Sequence, residues 1–351
     1  MKTEAVHEEE QWPYIVTLLP RDLEEGARRS GALRRCRNVS DAAALVRLAL
    51  AYAVTDLSLK DVAAWAAGLG VAQISGPGLF YRLRMAENWL MELLAETLRD
   101  QIPACPAGRL RLRAVDATVI NGPGAQGTEW RAHVRIDALT GKIASVELTD
   151  EHGGEGYGRH AVEPGELLLG DRAYATARGI HAVVHARGHV LARLNPHTLR
   201  VCDADRRVLS LRQRQEMVPK KGAMEIHVMI PIPPEKSTKS HKPWPLKTAI
   251  DWVSARAVAG RTRNGEVIWV ITTLDAAQAS GELILLLYRL RWQIELLFKR
   301  LKSLLHIDAL PSRQGPTARS WMLARFLAAA LAQKLVEPNG ALSPWGYELH
   351  A

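Results

Sequence analysis

The residues whose types and spacing could do chemistry lie closest together between Tyr288 and Lys302. Read as a helix turning about 100° per residue, this stretch brings Tyr288, Arg291, Glu295 and Lys302 within an arc of roughly 60°. Their spacings of three, four and seven are same-face steps of an α-helix. One carboxylate among cations, on a stripe of an otherwise apolar helix, suits a metal and phosphate site. The same residues also read as a surface ion-pair ladder, because Arg291 and Glu295 form an i, i+4 pair. Two features favour chemistry. Leu283 to Leu287 is apolar on every side, so the helix enters a core before it reaches Tyr288. Lys299 and Arg300 add further positive charge around the single acid.

Two more acids stand where strands are predicted to end: Asp116, after an alternating run from Leu110 to Val115, and Asp171, after the apolar run Glu166 to Gly170. An acid in that position often only starts a turn or caps the next helix. The alternative is that neighbouring strands place both carboxylates at one sheet edge and a packed helix adds Glu295. Three carboxylates at one point cannot all stay ionised without a cation. Hard oxygen ligands in that number suit Mg²⁺ or Mn²⁺. Two such ions about 3.5–4 Å apart activate a nucleophile and stabilise a leaving oxygen in phosphodiester transfer.

The elements that must position these groups follow from periodicity. Ala42 to Val54 predicts a helix, and Ser58 with Asp61 a capped start for the next, running to Ala67 and broken by Gly68 and Gly70. A turn at Ile74 to Gly78 precedes a long helix, Leu79 to Arg99, with Arg82 and Arg84 near its start. Helix, break and basic helix suit a helix-turn-helix-like DNA module, and equally a plain helical bundle. Two prolines and a glycine between Gln101 and Arg109 mark a domain boundary. His133 to Ile136 and Ile143 to Leu148 predict strands joined by a hairpin turn at Leu139 to Lys142. Thr176 to Gly188 predicts a helix. From about 190 to 274 the pattern is β-rich, with strands at Met224 to Ile230 and Val267 to Ile271 and a proline-rich loop from Pro231 to Pro245. After Lys302 comes a break at Pro311 to Pro316, then a final helix, Arg319 to Val336. The implied fold class is α/β (α+β). The expected organisation is an N-terminal helical, DNA-binding region (1–105), a catalytic domain (106–336) interrupted by the β-rich insertion, and a tail (337–351).

Composition bounds the partners. The chain has 351 residues and a formal net charge of +9. From His197 to Arg263 there are fourteen Lys/Arg against six Asp/Glu, a net of +8, and from Tyr288 to Arg325 eight against two, a net of +6. Basic charge concentrated in the second half points to a polyanion, nucleic acid first among them. Cys36, Cys105 and Cys202 form no CxxC pair, so a disulfide framework and a cysteine zinc site are not expected. The acidic start (Glu8, Glu9, Glu10) is unlike a targeting peptide, and no apolar run reaches the ~18 residues of a membrane helix. These readings place the chain in a reducing, cytoplasmic compartment with no membrane partner. His181 and His185 are an i, i+4 pair able to bind zinc, but the sequence places no third ligand.

Together, Asp116-Ala-Thr118, Asp171-Arg-Ala-Tyr174 and the spaced set Tyr288, Arg291, Glu295, Lys302 resemble the bacterial insertion-sequence transposases of the DDE superfamily that carry the YREK signature. The resemblance runs from about Ser58 to Val336, and the segment Thr149 to Glu155 also resembles the family's connecting segment. It implies a ribonuclease H-like core with a β-rich insertion before the Glu. It implies that Asp116, Asp171 and Glu295 bind two Mg²⁺ (Mn²⁺ as substitute) for DNA cleavage and strand transfer. It implies that Tyr288, Arg291 and Lys302 grip phosphate near the cleaved end of an inverted repeat, with Lys299 beside them, and that target DNA and a second copy in a synaptic complex are partners. A nucleoid-associated bacterial cytoplasmic setting follows. Some members of this group stack a flipped base on a tryptophan. Trp292 is a candidate for that platform, whereas Trp269 reads as strand core. Ala173 stands where the family usually has Gly, and with the final helix ending near Val336 no large C-terminal dimerisation domain is expected. A non-catalytic DNA-binding regulator, a decayed copy and a simple Mg²⁺ nuclease remain as alternatives.

Overall fold

The computed structural model describes residues 11–99, 110–195, 199–234, 244–262, 264–308, 310–311 and 315–336. The expected boundary at Gln101 to Arg109 lies outside the described residues, as does the tail. Among the described residues, eight strands form one sheet in the order β3-β2-β1-β4-β5-β8-β7-β6. β1 (Arg111–Ile120), β2 (Trp130–Asp137) and β3 (Ile143–Asp150) make an antiparallel meander, and β4 (Glu166–Gly170) and β5 (His189–Arg193) run parallel to β1. Helix α6 (Ala177–His185) carries the chain from β4 to β5. This is the ribonuclease H-like arrangement. β6 (Met224–Ile232), β7 (Asp251–Arg261) and β8 (Val267–Thr272) pair antiparallel and join through β8 to β5. The β-rich stretch from about 190 therefore extends the same sheet, and its first strand, β5, belongs to the core.

Strict alternation splits the core into two. Leu167, Leu169 and Leu191 are buried on one face with Ala114, while Leu168, Val190 and Ala192 are buried on the other with Val115. Near-continuous apolar runs such as Leu167 to Leu169 are what a strand covered on both faces requires. The first face is shared with the N-terminal helices α1 (Leu23–Arg29), α2 (Ala42–Val54), α3 (Leu59–Gly68), α4 (Gly76–Met85) and α5 (Glu87–Arg99). Ser58 caps α3 and hydrogen-bonds Asp61, as its spacing predicts. The single long helix expected from Leu79 is instead two. Ser75 starts α4 three residues after Ala72, and the chain turns at Ala86 before α5.

Packed against these helices and the β2–β3 hairpin is the long α9 (Gly315–Val336), buried along most of its length. Ser320 Oγ donates to Leu83 O at 2.6 Å, and Gln333 bonds the β2–β3 hairpin through Ile143 N and Gly141 O. A helix buried nearly all round must sit inside a core.

One charged cluster anchors the strands at the far end from the candidate site. Arg113 on β1 pairs with Asp137 at 2.6 Å and with Glu166 at 3.1 Å, and Arg135 on β2 reaches the same Glu166 at 3.2 Å. Glu166 and Arg113 are almost fully buried, so each charge depends on the others.

Candidate active site

Asp116 does not sit at a strand end. β1 continues to Ile120, and Asp116 lies within it, beyond the last residue paired with β4. Arg111 to Ala114 align with Glu166 to Leu169, so two further steps along the register set Asp116 opposite Asp171. One further step from Gly170 and Ala192 sets Asp171 beside Arg193. Alternation then puts Asp116, Asp171 and Arg193 on the face that holds Ala114, Leu169 and Leu191. The order of the sheet reverses between β1 and β4, and a crevice at the carboxyl ends of strands forms at such a point. Ala117 N donates to Asp116 Oδ1 at 2.8 Å, and Ala173 N to Asp171 Oδ1 at 2.8 Å. These bonds fix both carboxylates while leaving the other oxygen of each available.

Glycine is required just before Asp171. A Cβ on Gly170 would lie 2.6 Å from the Tyr157 hydroxyl and 2.6 Å from Tyr174 Cβ. Tyr157 and Tyr174 are fully buried with ring centroids 5.2 Å apart. Their packing holds the Asp171 turn in place. The Tyr174 hydroxyl is buried and, among the described residues, has no hydrogen-bond partner. Burial pushes its ionisation well up, and Asp116, Glu155 and Asp171 push it in the same direction.

Burial raises the Asp116 carboxyl to about 6, against the Ala117 N–H bond, with Asp171 and Glu155 adding to the rise and Arg291 opposing it. Burial also raises Glu155, where Arg131 opposes and Asp171 adds. The structure thus brings a third acid, Glu155, to the aspartates. Its sequence signal is the pair Gly153-Gly154 just before it. A Cβ on Gly153 would lie 1.9 Å from Thr149 Oγ1, so only glycine lets this loop close onto β3. Arg193, at the end of β5, was equally readable as a strand-end residue. Neither stands out without the register.

Tyr288 to Lys302 is not one uninterrupted helix. α7 (Gly281–Arg289) and α8 (Trp292–Leu305) meet at Leu290 and Arg291. There the bonds tighten to i→i−3, from Leu290 N to Leu287 O, Arg291 N to Tyr288 O and Gln293 N to Leu290 O. Both junction residues keep right-handed helical dihedrals, so the same-face stripe survives. Ile294, Leu297, Phe298 and Leu301 bury one side of α8. Glu295, Lys299 and Lys302 line a shallow depression on its outer side.

Arg291 links the two halves of the site. Its guanidinium is bonded to Glu295 and lies 6.0 Å from the Tyr288 ring centroid. Burial works against its charge, but Glu295, Tyr288 and Asp116 more than offset that. Burial likewise raises the Tyr288 phenol, with Arg291 and Arg193 opposing and Asp171 adding. Glu295 itself is turned to Arg291, with 42% of its side chain exposed. Among the described residues, the three acids do not converge to ligand distance; the group that does is His181, His185 and Asp251. Trp292 is exposed at the start of α8, and Trp269 is buried in β8. Arg82 is engaged inside the protein by Ala32 O and Arg35 O, leaving Arg84 as the exposed base of α4.

The donor set fits a hard divalent cation. Two adjacent carboxylates and a third nearby, all oxygen, one pushed toward protonation mainly by burial and further by the other acids, gain from a shared positive charge.

The chain matches the family model described as transposase DDE domain over residues 107–331. It is 34% identical to the putative transposases InsL for insertion sequence elements IS186A and IS186B of Escherichia coli strain K12, over 94% of this chain and 95% of theirs. The transposase for insertion sequence element IS421 of Escherichia coli is 34% identical over the same shares. A piggyBac transposase in a synaptic complex with hairpin DNA aligns with a TM-score of 0.49 and 9% identity, over 96% of this chain and 75% of that one. At that level its likeness carries no argument.

Proposed function

This chain belongs to the DDE transposase family and is a transposase, and on that premise we propose that Asp116, Asp171 and Glu295 are its catalytic acids. The observation that carries the reading is the placement of Asp116 opposite Asp171 at the reversal of the sheet, with Glu295 salt-bridged to Arg291, whose charge favours the ionised Asp116. The acids would hold two Mg²⁺, with Mn²⁺ as substitute. Bound there, the ions supply a lowered pKa for an attacking water or 3′-hydroxyl and charge stabilisation for the leaving oxygen.

The protein's own groups do the rest. The hydrogen bonds from Ala117 and Ala173 hold the aspartates in fixed orientation. Arg291 offers a planar fork to phosphate oxygens, and Lys299 and Lys302 act as point charges along the outer side of α8. For Arg291 to take phosphate, Glu295 must leave its salt bridge. The 3₁₀ junction at Leu290 and Arg291 is where α8 can re-aim to bring Glu295 toward the aspartates. Tyr288 packs against sugar or donates to phosphate. Trp292, half exposed beside Arg291, is the aromatic platform for an unstacked base.

The DNA is the inverted-repeat ends of the element and then its target, with two copies of the chain in the synaptic assembly. The N-terminal helices add DNA contacts through the exposed face of α4. Among the described residues no helix is long and apolar enough to cross a membrane. The proposed setting is the bacterial cytoplasm, on the nucleoid. The test is cleavage of end-bearing DNA by Glu295→Ala. Retained binding with cleavage lost supports the assignment. Loss of both assigns Glu295 to holding Arg291 instead.

A further inference from the structure

A second ligand cluster lies at the opposite edge of the sheet from Asp116 and Asp171. β7 is antiparallel to β8, which is antiparallel to β5, so β7 runs the same way as β4 and β5. Its first residue, Asp251, therefore sits at the end where those strands begin. α6 returns the chain to that same end, and its second half presents His181 and His185 on one face, His185 in the last turn. His181 Nε2 is 2.8 Å from Asp251 Oδ2, and His185 Nε2 is 3.6 Å from the same oxygen. The two imidazole rings are 4.1 Å apart. All three ligand atoms lie within 4.8 Å of one another.

We propose that His181, His185 and Asp251 form a zinc site that clips α6 to the start of β7. Two histidines at i, i+4 on one helix face plus one carboxylate is a three-ligand zinc set with a fourth position left for water. Imidazole selects zinc and related late transition metals over Mg²⁺, which prefers oxygen alone, so this site does not compete with the acidic one. The carboxylate is already oriented. Trp252 N donates to Asp251 Oδ1 at 2.7 Å, leaving Oδ2 toward both Nε2 atoms. The cluster opens into a groove of about 450 Å³ lined also by His189, Val253 and Thr273, which gives the ion an entry path. Arg187 lines the groove too and is the one fixed cation among its described residues. The apparent affinity is therefore moderate. A histidine–aspartate ion pair with no metal is the competing account.

Untagged protein, stripped with chelator and kept in saturating Mg²⁺, is dialysed against Zn²⁺ and its bound zinc measured. One zinc per chain is expected, and Co²⁺ in its place gives the visible ligand-field band of a nitrogen-containing low-coordinate site. His185→Ala and Asp251→Asn each weaken binding by more than the about 10–100-fold typical of losing a second-shell partner. His189→Ala leaves binding unchanged. Zinc raises the Tm of the wild type and not of His185→Ala, whose side chain is two-thirds exposed and so folds without cost. Zinc retained by His185→Ala, or none held by the wild type, overturns the site and leaves the ion pair. This readout involves no DNA, so it stands or falls separately from the catalytic assignment.

Discussion

Among the described carboxylates, Asp116 is the one whose environment works hardest against its charge. Its folded value, about 6, lies above the ordinary 3.8, so the folded protein binds the proton more tightly than the unfolded chain does. Stability from this carboxyl is fully present below about 3.8 and is lost as pH rises to about 6. In Mg²⁺-free buffer, Asp116→Asn should therefore stabilise the protein above pH 6 by about 1–2 kcal/mol. The gain should fade below pH 4. Urea titrations at pH 4 and 7.5 check this; an equal gain at both pH values would contradict it. Mg²⁺ should raise the Tm of the wild type and not of the variant. At Arg291 the expected outcome is electrostatic. Arg291→Ala should lower the dependence of end binding on log[salt] by about one phosphate contact. An unchanged slope would place Arg291 outside the DNA contact. The types and spacing of Tyr288, Arg291, Glu295 and Lys302 were legible in the sequence. The pairing of Arg291 with Glu295 was legible as an i, i+4 option. What could not be read was that Glu295 points to Arg291 rather than to the aspartates, because helix spacing fixes a face but not a rotamer.

At the scale of elements, strands were easier to read than their ends. Leu167 to Leu169 declared β4 as a strand covered on both sides. β1 was cut short at Val115, because a carboxylate in a strand reads as a terminator until the site that needs it is known. α4 and α5 were merged, since helical periodicity carries through Ala86 with no glycine or proline to mark the turn. Glu155 and Arg193 were missed for a different reason. Both reach the site through register and loop closure, which are long-range. The buried cluster of Arg113, Arg135 and Glu166 gives this level its own prediction. Glu166→Ala leaves two arginines without their shared acid, and breaking a buried pair costs about 3–5 kcal/mol. A fall in stability of that size should appear in denaturant melts. A change under about 1 kcal/mol would mean that water reaches the cluster.

For the whole molecule, α9 ties the N-terminal helices to the sheet through Ser320, Gln333 and a run of buried apolar residues. Helices and sheet then share one core and should unfold together. Far-UV circular dichroism and tryptophan fluorescence should give coincident transitions, and Trp321→Ala should shift both by about 3–5 kcal/mol. Two separated transitions would show that the layers are independent. The +9 charge and its concentration in the second half set the partner class, and Lys299 and Lys302 line the outer side of α8 beside Glu295. The central claim is that Asp116, Asp171 and Glu295 act together on DNA. The most direct measurement incubates purified wild type and each alanine variant with Mg²⁺ and labelled DNA carrying the ends that flank this gene. Cleavage and joined products are then scored beside binding. The wild type should cut and join. Each variant should bind within a few-fold of wild type yet cut at least about a thousandfold more slowly, the several kcal/mol that metal-assisted stabilisation supplies. Cleavage that survives in any one of the three would contradict the shared site.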